Sequence, residues 1–462
     1  MSVPGSPPPG LPPASGAAGR RGLVDLLNAL PRAALGNLVA KLLIIALGLG
    51  ITVLVARQGP TVQGAFALFV AVESAMLTLF SGLGLWLARQ ISQRAGQVAG
   101  RDRVRLLPML RSVLGAAVGL GLLAAVVLAG VSWWAQGLPY RLLWLLALAA
   151  PFLLLVPTAT GLWLGQGRMW PINLAQVAAP ASVLAGLGAI LLAMQGGRSN
   201  AGLVMLVLTA WVLGKSVVAV VTAMQALRQA AQHDEQADAA EGGSQLAEPW
   251  WQEARFVATI GITNLVSLAN YRASLFLVEH FHGLGAAGTY SVAVTVAELL
   301  WVLSSSVTVS VYSRIGHPDR AVASAMTVQA VRINVVATLL AAPVLLGLAW
   351  WALPWVMGPA YAASLWPLAA LLPGVAAYAA ASSLSAFYTN HLGKPQLSGG
   401  IAATSLTISF VLGCVLVPRW GAVGAGVASS LGYVLAILAA YGVFLKHAGL
   451  PLSALWRSPS PA

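Results

Sequence analysis

Long, nearly uninterrupted apolar runs make up most of this chain, and short polar stretches separate them. Runs such as residues 42–56 lack the strict alternation of a membrane β-strand and exceed the roughly 10 residues that such a strand needs. They therefore predict helices of about 20–28 residues, long enough to cross a bilayer. The pattern places twelve of them at 36–57, 65–89, 109–135, 141–165, 171–194, 201–228, 254–280, 287–313, 324–351, 363–388, 396–417 and 421–445.

Composition places these helices in a membrane. Of the 462 residues, 58% are hydrophobic and 8% are charged, whereas a soluble domain carries about 25% charged residues. The chain is thus predicted to be an all-α polytopic membrane protein. Cys414 is the only cysteine, which excludes an internal disulfide and a cysteine-ligated metal site. With no Walker-type phosphate loop, no HExxH motif and no loop large enough for a catalytic domain, we expect neither an enzyme nor a resident cofactor or metal.

Lysine and arginine are unevenly divided between the two sides of the predicted bundle. One side holds Arg20, Arg21, Arg32, Arg89, Arg94, Arg101, Arg103, Arg105, Arg111, Arg168, Arg228, Arg255, Arg314, Arg320, Lys394, Lys446 and Arg457. The other side holds Arg57, Arg141, Arg198 and Arg419. Cytoplasmic loops carry the excess of these residues, so we expect both termini in the cytoplasm. The net charge of +13 then reflects topology and predicts no nucleic-acid partner.

The two halves of the chain repeat each other at a near-constant offset. Gly59 and Gly64 recur as Gly283 and Gly288, and Glu73 has a counterpart in Glu298. An even number of spans in each copy predicts two lobes related by an axis along the membrane normal. We expect the lobes at 35–228 and 254–447, joined by an acidic cytoplasmic linker at 229–253. The cytoplasmic tails are predicted at 1–34, which is rich in Pro, Gly and Ser and expected to be disordered, and at 448–462.

Three stretches carry a resemblance to a known family: residues 288–316, residues 371–398 and residues 417–435. They resemble the Wzx-type polysaccharide flippases of the multidrug/oligosaccharidyl-lipid/polysaccharide exporter superfamily. The resemblance implies two six-helix lobes around a central cavity that opens alternately to each side of the bacterial inner membrane. It also implies an undecaprenyl-pyrophosphate-linked glycan as cargo, membrane lipid as surroundings, and a polysaccharide polymerase and export proteins as partners.

Glu73, Arg272 and Glu298 are charged residues inside predicted spans, where a charge is costly and usually has a function. For the two glutamates we consider ion coupling and, alternatively, a structural role as hydrogen-bonded groups that hold helices together. Arg272 follows Asn270 and Tyr271 and has no counterpart in the first half of the chain. Because a guanidinium binds phosphate oxygens in bidentate fashion, this segment is a candidate substrate-binding site. A salt bridge from Arg272 to Glu298 or Glu73 is the alternative.

Three more cations complete the set of candidate substrate contacts. Lys215 lies near the middle of the sixth span. Lys41 lies near a helix end, where it can instead reach the membrane surface. Arg332 matches Arg111 and can instead mark the start of a helix. Four cations against two acids in the spans favour an anionic head group.

Two alternatives to a flippase remain open at this stage. One is a cation-coupled drug or metabolite exporter of the same superfamily, which would favour the opposite charge balance. The other is a membrane scaffold of a polysaccharide synthase complex that transports nothing. A scaffold gives no reason to keep Glu73, Arg272 and Glu298 inside lipid.

Overall fold

A computed structural model describes residues 32–97, 103–193, 199–238, 244–245 and 250–451, and these are helical almost throughout. The first half contains α1 (Arg32–Ala56), α2 (Pro60–Leu79), α3 (Gly82–Gln97), α4 (Leu106–Trp134), α5 (Leu143–Leu153), α6 (Leu155–Gly165), α7 (Met169–Ala193) and α8 (Asn200–Asp238). The second half contains α9 (Ala254–Glu298), α10 (Leu300–Ile315), α11 (Arg320–Val356), α12 (Leu365–Tyr378), α13 (Ala381–Ala386) and α14 (Pro395–Ala448). Short 3-10 turns lie at Tyr140–Leu142, Trp250–Glu253 and Pro359–Ser364, and a π-helical turn lies at Phe387–His391.

Glycines divide the two longest helices. Within the described residues, ten helical segments are long and apolar enough to cross a membrane. Two of these contain a backbone reversal, at Gly283 (φ 76°) and Gly421 (φ 56°), where any other residue would be strained. Arg272 and Glu298 confirm the first reversal: they are in contact, although 26 residues of straight helix would separate them by about 39 Å. The described residues therefore make twelve passes, as the apolar pattern predicts.

Each half of the chain forms a lobe with buried apolar clusters, and the largest cluster also includes Leu68 and Ala71 of the first half. In the first lobe, Phe69 and Leu146 are among the residues of one buried cluster, and Trp163 belongs to a second. In the second lobe, Tyr290 and Phe387 belong to a single large buried cluster. The large exposed side chains are apolar over the outer surfaces of α4, α11 and α14, as expected for a bundle surrounded by lipid.

The two ends of the bundle differ in charge. At one end, Arg89 is hydrogen-bonded to Glu253 and Arg168 to Gln229. We name this end the basic face. The other end, which carries Arg57, Arg141 and Arg419, is named the opposite face. Tryptophans are strongly exposed at this end, in agreement with the aromatic belt that forms at a membrane surface: Trp133, Trp134, Trp350, Trp351 and Trp355.

The linker between the lobes is shorter than the sequence predicts. Residues 229–238, assigned to it above, instead continue α8. The Asp234 carboxylate explains this extension, because it accepts hydrogen bonds from the backbone amides of Leu106 (2.8 Å) and Leu107 (2.9 Å). These amides begin α4 and have no partner within that helix, so Asp234 caps it. Most of the two predicted tails, residues 1–31 and 452–462, lies outside the described residues.

The lobes touch near the opposite face where α2 crosses the second pass of α9. A Cβ atom added to Gly64 would overlap the backbone oxygen of Leu284, and one added to Gly288 would overlap that of Pro60. The two glycines are the repeat-related pair of the sequence. Their missing side chains allow the two backbones to approach this closely. We name this contact the upper crossing.

A second close contact lies nearer the basic face, between the end of α2 and the start of α9. A Cβ atom on Gly261 would overlap the backbone oxygen of Leu79, and one on Gly82 would overlap that of Val257. We name this contact the lower crossing. The lobes therefore meet near the start of α2 and again where α2 ends and α3 begins, and the intervening stretch of α2 is free to line a cavity.

Candidate functional site

A cavity of about 600 Å³ lies between the two lobes. The first lobe contributes α1, α2, α7 and α8 to its wall, and the second contributes both passes of α9 and the start of α10. Its wall is mostly apolar, with Ile45, Phe66 and Val294 as examples. The charged side chains that reach the wall are Lys215, Arg272 and Glu298. With Tyr271, four of the residues predicted from the sequence therefore meet at one site.

Glu73 lies behind this wall and holds Lys215 in place. Its carboxylate accepts a hydrogen bond from Lys215 Nζ (2.5 Å) on one oxygen and from Trp211 Nε1 (2.5 Å) on the other. The Lys215 ammonium also lies over the Trp211 ring, 4.6 Å from its centroid. Phe66 packs edge-on against the same ring. A charge in this apolar setting needs a partner, and both oxygens of Glu73 have one.

Trp211 was not among the residues predicted from the sequence. It lies four residues before Lys215 on α8, so both side chains project from the same side of that helix. This spacing is the only signal for it in the sequence, and many apolar residues of α8 share such a spacing with a polar one. Its role becomes visible only when α2 is placed against α8.

Arg272 and Glu298 form the corresponding pair in the second lobe. The guanidinium meets the carboxylate in bidentate fashion, with Nη1–Oε1 at 3.1 Å and Nη2–Oε2 at 3.2 Å. The two residues belong to successive passes of α9 on either side of Gly283. They sit at a similar depth, which is why a salt bridge between them was one of the alternatives predicted from the sequence. Both remain partly accessible from the cavity.

The two residues before Arg272 point in different directions. Tyr271 lines the cavity and packs against Trp301, with ring centroids 4.7 Å apart. Asn270 is 3% exposed and donates a hydrogen bond from Nδ2 to the Tyr378 hydroxyl at 3.3 Å, inside the second lobe. Successive residues of a helix project about 100° apart, so the three residues of this segment cannot share one face. Asn270 is therefore not placed to contact a ligand in the cavity.

Lys41 and Arg332 do not line the cavity. Lys41 is exposed on the same face of α1 as Ile44 and Gly48, one turn nearer the basic face. Arg332 lies on α11, and no residue of that helix reaches the cavity wall. The cationic excess of the sequence is thus not gathered at one place: the cavity has two cations, and each has a carboxylate partner.

Within each ion pair, the cation nevertheless has a more exposed side chain than the carboxylate. The Lys215 side chain is 22% exposed, whereas that of Glu73 is 1% exposed. In the second pair Arg272 is 34% exposed and Glu298 is 25% exposed. In both pairs the cation has the larger exposed fraction, and the difference is large for Lys215 and Glu73 and small for Arg272 and Glu298. An anion that enters the cavity can reach both cations.

Comparison with solved structures identifies the architecture. The chain superimposes on the lipid II flippase MurJ in an inward closed conformation with a TM-score of 0.69, at 14% identity, over 92% of this chain and 88% of that one. It superimposes on a multidrug resistance MATE family transporter of the MOP superfamily, in an inward-facing conformation, with a TM-score of 0.66, at 15% identity, over 90% and 96%. The chain has the fold of the MOP superfamily transporters.

A third structure of this fold is a MOP superfamily transporter from Pyrococcus furiosus, described as having a binding pocket of reverse polarity. It gives a TM-score of 0.59 at 14% identity, over 92% of this chain and 96% of that one. No protein-family model and no curated protein matches the sequence. The predicted two-lobe fold, and with it the likeness to the transporters of this superfamily, is thereby confirmed at the level of the fold. Membership of the Wzx-type branch stays a prediction.

Proposed function

We propose that this protein is a flippase that moves a polyprenyl-pyrophosphate-linked glycan across the bacterial inner membrane by alternating access. The observation that carries the proposal is the accessibility of Lys215 and Arg272 ahead of their carboxylate partners. A diphosphate has acceptor oxygens that match the bidentate donors of a guanidinium and the point charge of an ammonium. The apolar remainder of the wall suits the lipid part of such a cargo.

Arg272 is the residue to which we assign the diphosphate. Its guanidinium is occupied by Glu298 in the described state, and the pair is open enough for a ligand to reach it. A diphosphate that enters would replace the carboxylate and release Glu298. Lys215 lies in the other lobe, so a ligand bound to both cations would connect the lobes. Such a ligand is sensitive to their relative position, which alternating access requires.

The second candidate function is a cation-coupled exporter of drugs or metabolites. It is supported by the MATE transporters of the same fold and by the apolar wall of the cavity. Against it stands the near-complete burial of Glu73, which among the described residues leaves one carboxylate in the cavity wall, that of Glu298, for an organic cation to reach. For the flippase we expect a polysaccharide polymerase and export proteins as the machinery that uses the product, and cytoplasmic termini.

The test is transport in proteoliposomes. The purified protein is reconstituted with undecaprenyl diphosphate carrying one N-acetylglucosamine, and the fraction of sugar exposed on each leaflet is followed with a membrane-impermeant galactosyltransferase and labelled nucleotide sugar. We expect the wild-type protein to equilibrate the probe between leaflets and Arg272→Ala to lose this activity. Arg419→Ala is the matched control, because Arg419 is exposed on the opposite face and away from the cavity. Wild-type liposomes that move the probe no faster than empty ones contradict the proposal.

A further inference from the structure

A second pocket, of about 260 Å³, lies inside the second lobe beside the central cavity. Residues of α9, α10, α12, α13 and α14 line it. Tyr271 belongs to the walls of both the pocket and the central cavity, so the two are neighbours. The pocket volume equals that of roughly nine water molecules in the liquid, which suits a group the size of one sugar ring.

The lining of this pocket is hydroxylated, aromatic and uncharged. Six serines contribute hydroxyl groups: Ser267, Ser304, Ser305, Ser382, Ser385 and Ser398. Tyr271, Trp301 and Tyr378 contribute rings. None of the described residues in the lining is an acid or a base. A metal cation or an organic cation would lack a carboxylate here, and a phosphate would lack a cation, so the chemistry favours a neutral polar ligand.

The hydrogen bonds that the lining residues already make indicate which kind of neutral ligand fits the pocket. Ser304 and Ser305 donate their hydroxyl protons to carbonyl oxygens of their own helix turn, at 3.1 and 3.0 Å, and Ser267 does the same at 3.1 Å. Each of these oxygens keeps lone pairs that can accept a further hydrogen bond. Ser385 and Ser398 make no hydrogen bond among the described residues, so their hydroxyl groups can both donate and accept. The pocket thus offers several acceptors and two hydroxyl donors to a ligand that has both kinds of group.

A sugar ring has this combination of groups. Its hydroxyls donate to acceptors and accept from a donor, and its C–H faces pack on the negative faces of aromatic rings. A lipid chain would leave the serine hydroxyls of the pocket without partners, and polar groups that are buried without a partner are costly. We propose that this pocket binds one neutral sugar of the glycan while Arg272, next to Tyr271, binds the diphosphate. This inference rests on the proposed function and adds the sugar subsite.

The test compares binding of two lipids to the full protein in detergent. One is undecaprenyl diphosphate, and the other is the same lipid bearing a single glucose, galactose, N-acetylglucosamine or glucuronic acid. We expect at least one neutral sugar to tighten wild-type binding, and glucuronic acid to add nothing because no cation lines the pocket. Trp301→Leu keeps an apolar side chain but removes the aromatic face on which a sugar ring can pack. We expect it to weaken the tightest sugar-bearing lipid about tenfold and leave the bare lipid unchanged.

A second variant tests whether the loss of binding caused by changing Trp301 comes only from disturbed packing of the protein. Ser267→Ala with Ser305→Ala removes two acceptors from the pocket, and we expect the same selective loss. Ser306→Ala is the control, because Ser306 is exposed on α10, makes the same type of helix-turn bond and does not line the pocket. If no sugar tightens binding, or if the variants weaken both lipids equally, the sugar subsite is overturned and the flippase proposal stands. Wild-type protein that binds neither lipid overturns both.

Discussion

Lys215 and Glu73 are 142 residues apart in sequence, and the ammonium of the first lies 2.5 Å from a carboxylate oxygen of the second. The carboxylate is almost fully buried, and its other oxygen accepts from Trp211. Such an arrangement makes the two partners depend on each other. Removing one leaves an uncompensated charge in an apolar region, which is far more costly than losing an exposed pair.

Removal of the two ion pairs should therefore lower the free energy of unfolding by different amounts. We expect Glu73→Ala to destabilise the protein by about 3–5 kcal/mol, because it strands the Lys215 ammonium. Glu298→Ala should cost about 1 kcal/mol or less, because that pair is partly exposed. The measurement is the midpoint of thermal unfolding in detergent. Lys215→Met in the Glu73→Gln background should recover most of the loss. Equal midpoints for Glu73→Ala and Glu298→Ala would contradict this account.

Transport should distinguish charge from geometry at Arg272. Arg272→Lys keeps the positive charge but loses the planar pair of donors that a diphosphate oxygen pair matches. We expect it to retain a fraction of the flipping rate that Arg272→Ala abolishes. The leaflet-exposure assay measures both variants at equal protein content. A lysine variant with the full wild-type rate would show that only charge matters there, and an alanine variant with the full rate would remove Arg272 from the mechanism.

Glu298 is the carboxylate that we expect to couple transport to protons, since it shares the second lobe and the cavity with Arg272. Glu298→Gln mimics the protonated side chain and keeps most of its hydrogen-bonding shape. We expect flipping by this variant to lose its response to a pH gradient across the liposome membrane while the protein stays folded. Glu73→Gln is the comparison, measured at an equal amount of folded protein because it also leaves Lys215 without a counter-ion, and we expect its response to the gradient to be retained. A fully gradient-sensitive Glu298→Gln protein would end the coupling proposal.

The two crossings should control which face opens. Gly64→Ala places a methyl group against the Leu284 carbonyl and should separate the lobes at the upper crossing. Spin labels at Arg141→Cys and Arg419→Cys, on a Cys414→Ser background, report the distance between lobes at the opposite face. We expect Gly64→Ala to lengthen this distance.

Gly82→Ala acts at the lower crossing and should leave that distance unlengthened. Gly115→Ala is the control, because no atom lies within 4 Å of a Cβ at that position. An unchanged distance in a folded Gly64→Ala protein would mean that the upper crossing does not govern opening.

Topology is tested by reporter fusions at two positions outside the described residues. The arginine distribution predicts that Gly196 is outside the cytoplasm and Ala239 is inside. A phosphatase reporter should be active at the first and a fluorescent cytoplasmic reporter at the second. The same side for both would contradict the predicted orientation.

The sequence predicts how far along a span each charged residue lies. It does not predict which neighbouring helix the side chain of that residue faces. The apolar runs located the twelve passes, and the similar depths of Arg272 and Glu298 on consecutive passes made their pairing one of the predicted outcomes. Lys215 and Glu73 lie on non-consecutive helices, so their pairing depends on how the helices pack. The same limitation explains Asn270 and Arg332, which have the expected depth or charge but face away from the cavity. The extension of α8 to Asp238 depends on a capping contact with α4 that no local pattern encodes.

Each ion pair of the cavity lies wholly within one lobe: Lys215 with Glu73 in the first, Arg272 with Glu298 in the second. Rocking the lobes as rigid bodies therefore moves every charge together with its counter-ion. One unpaired elementary charge carried across the full field would cost about 2.3 kcal/mol per 100 mV. Two neutral dipoles would avoid that cost, so in the proposed transport cycle we expect these residues to make the return of the unloaded protein electrically silent. Any current during turnover would then be carried by the cargo's own charge and by the ions that travel with it.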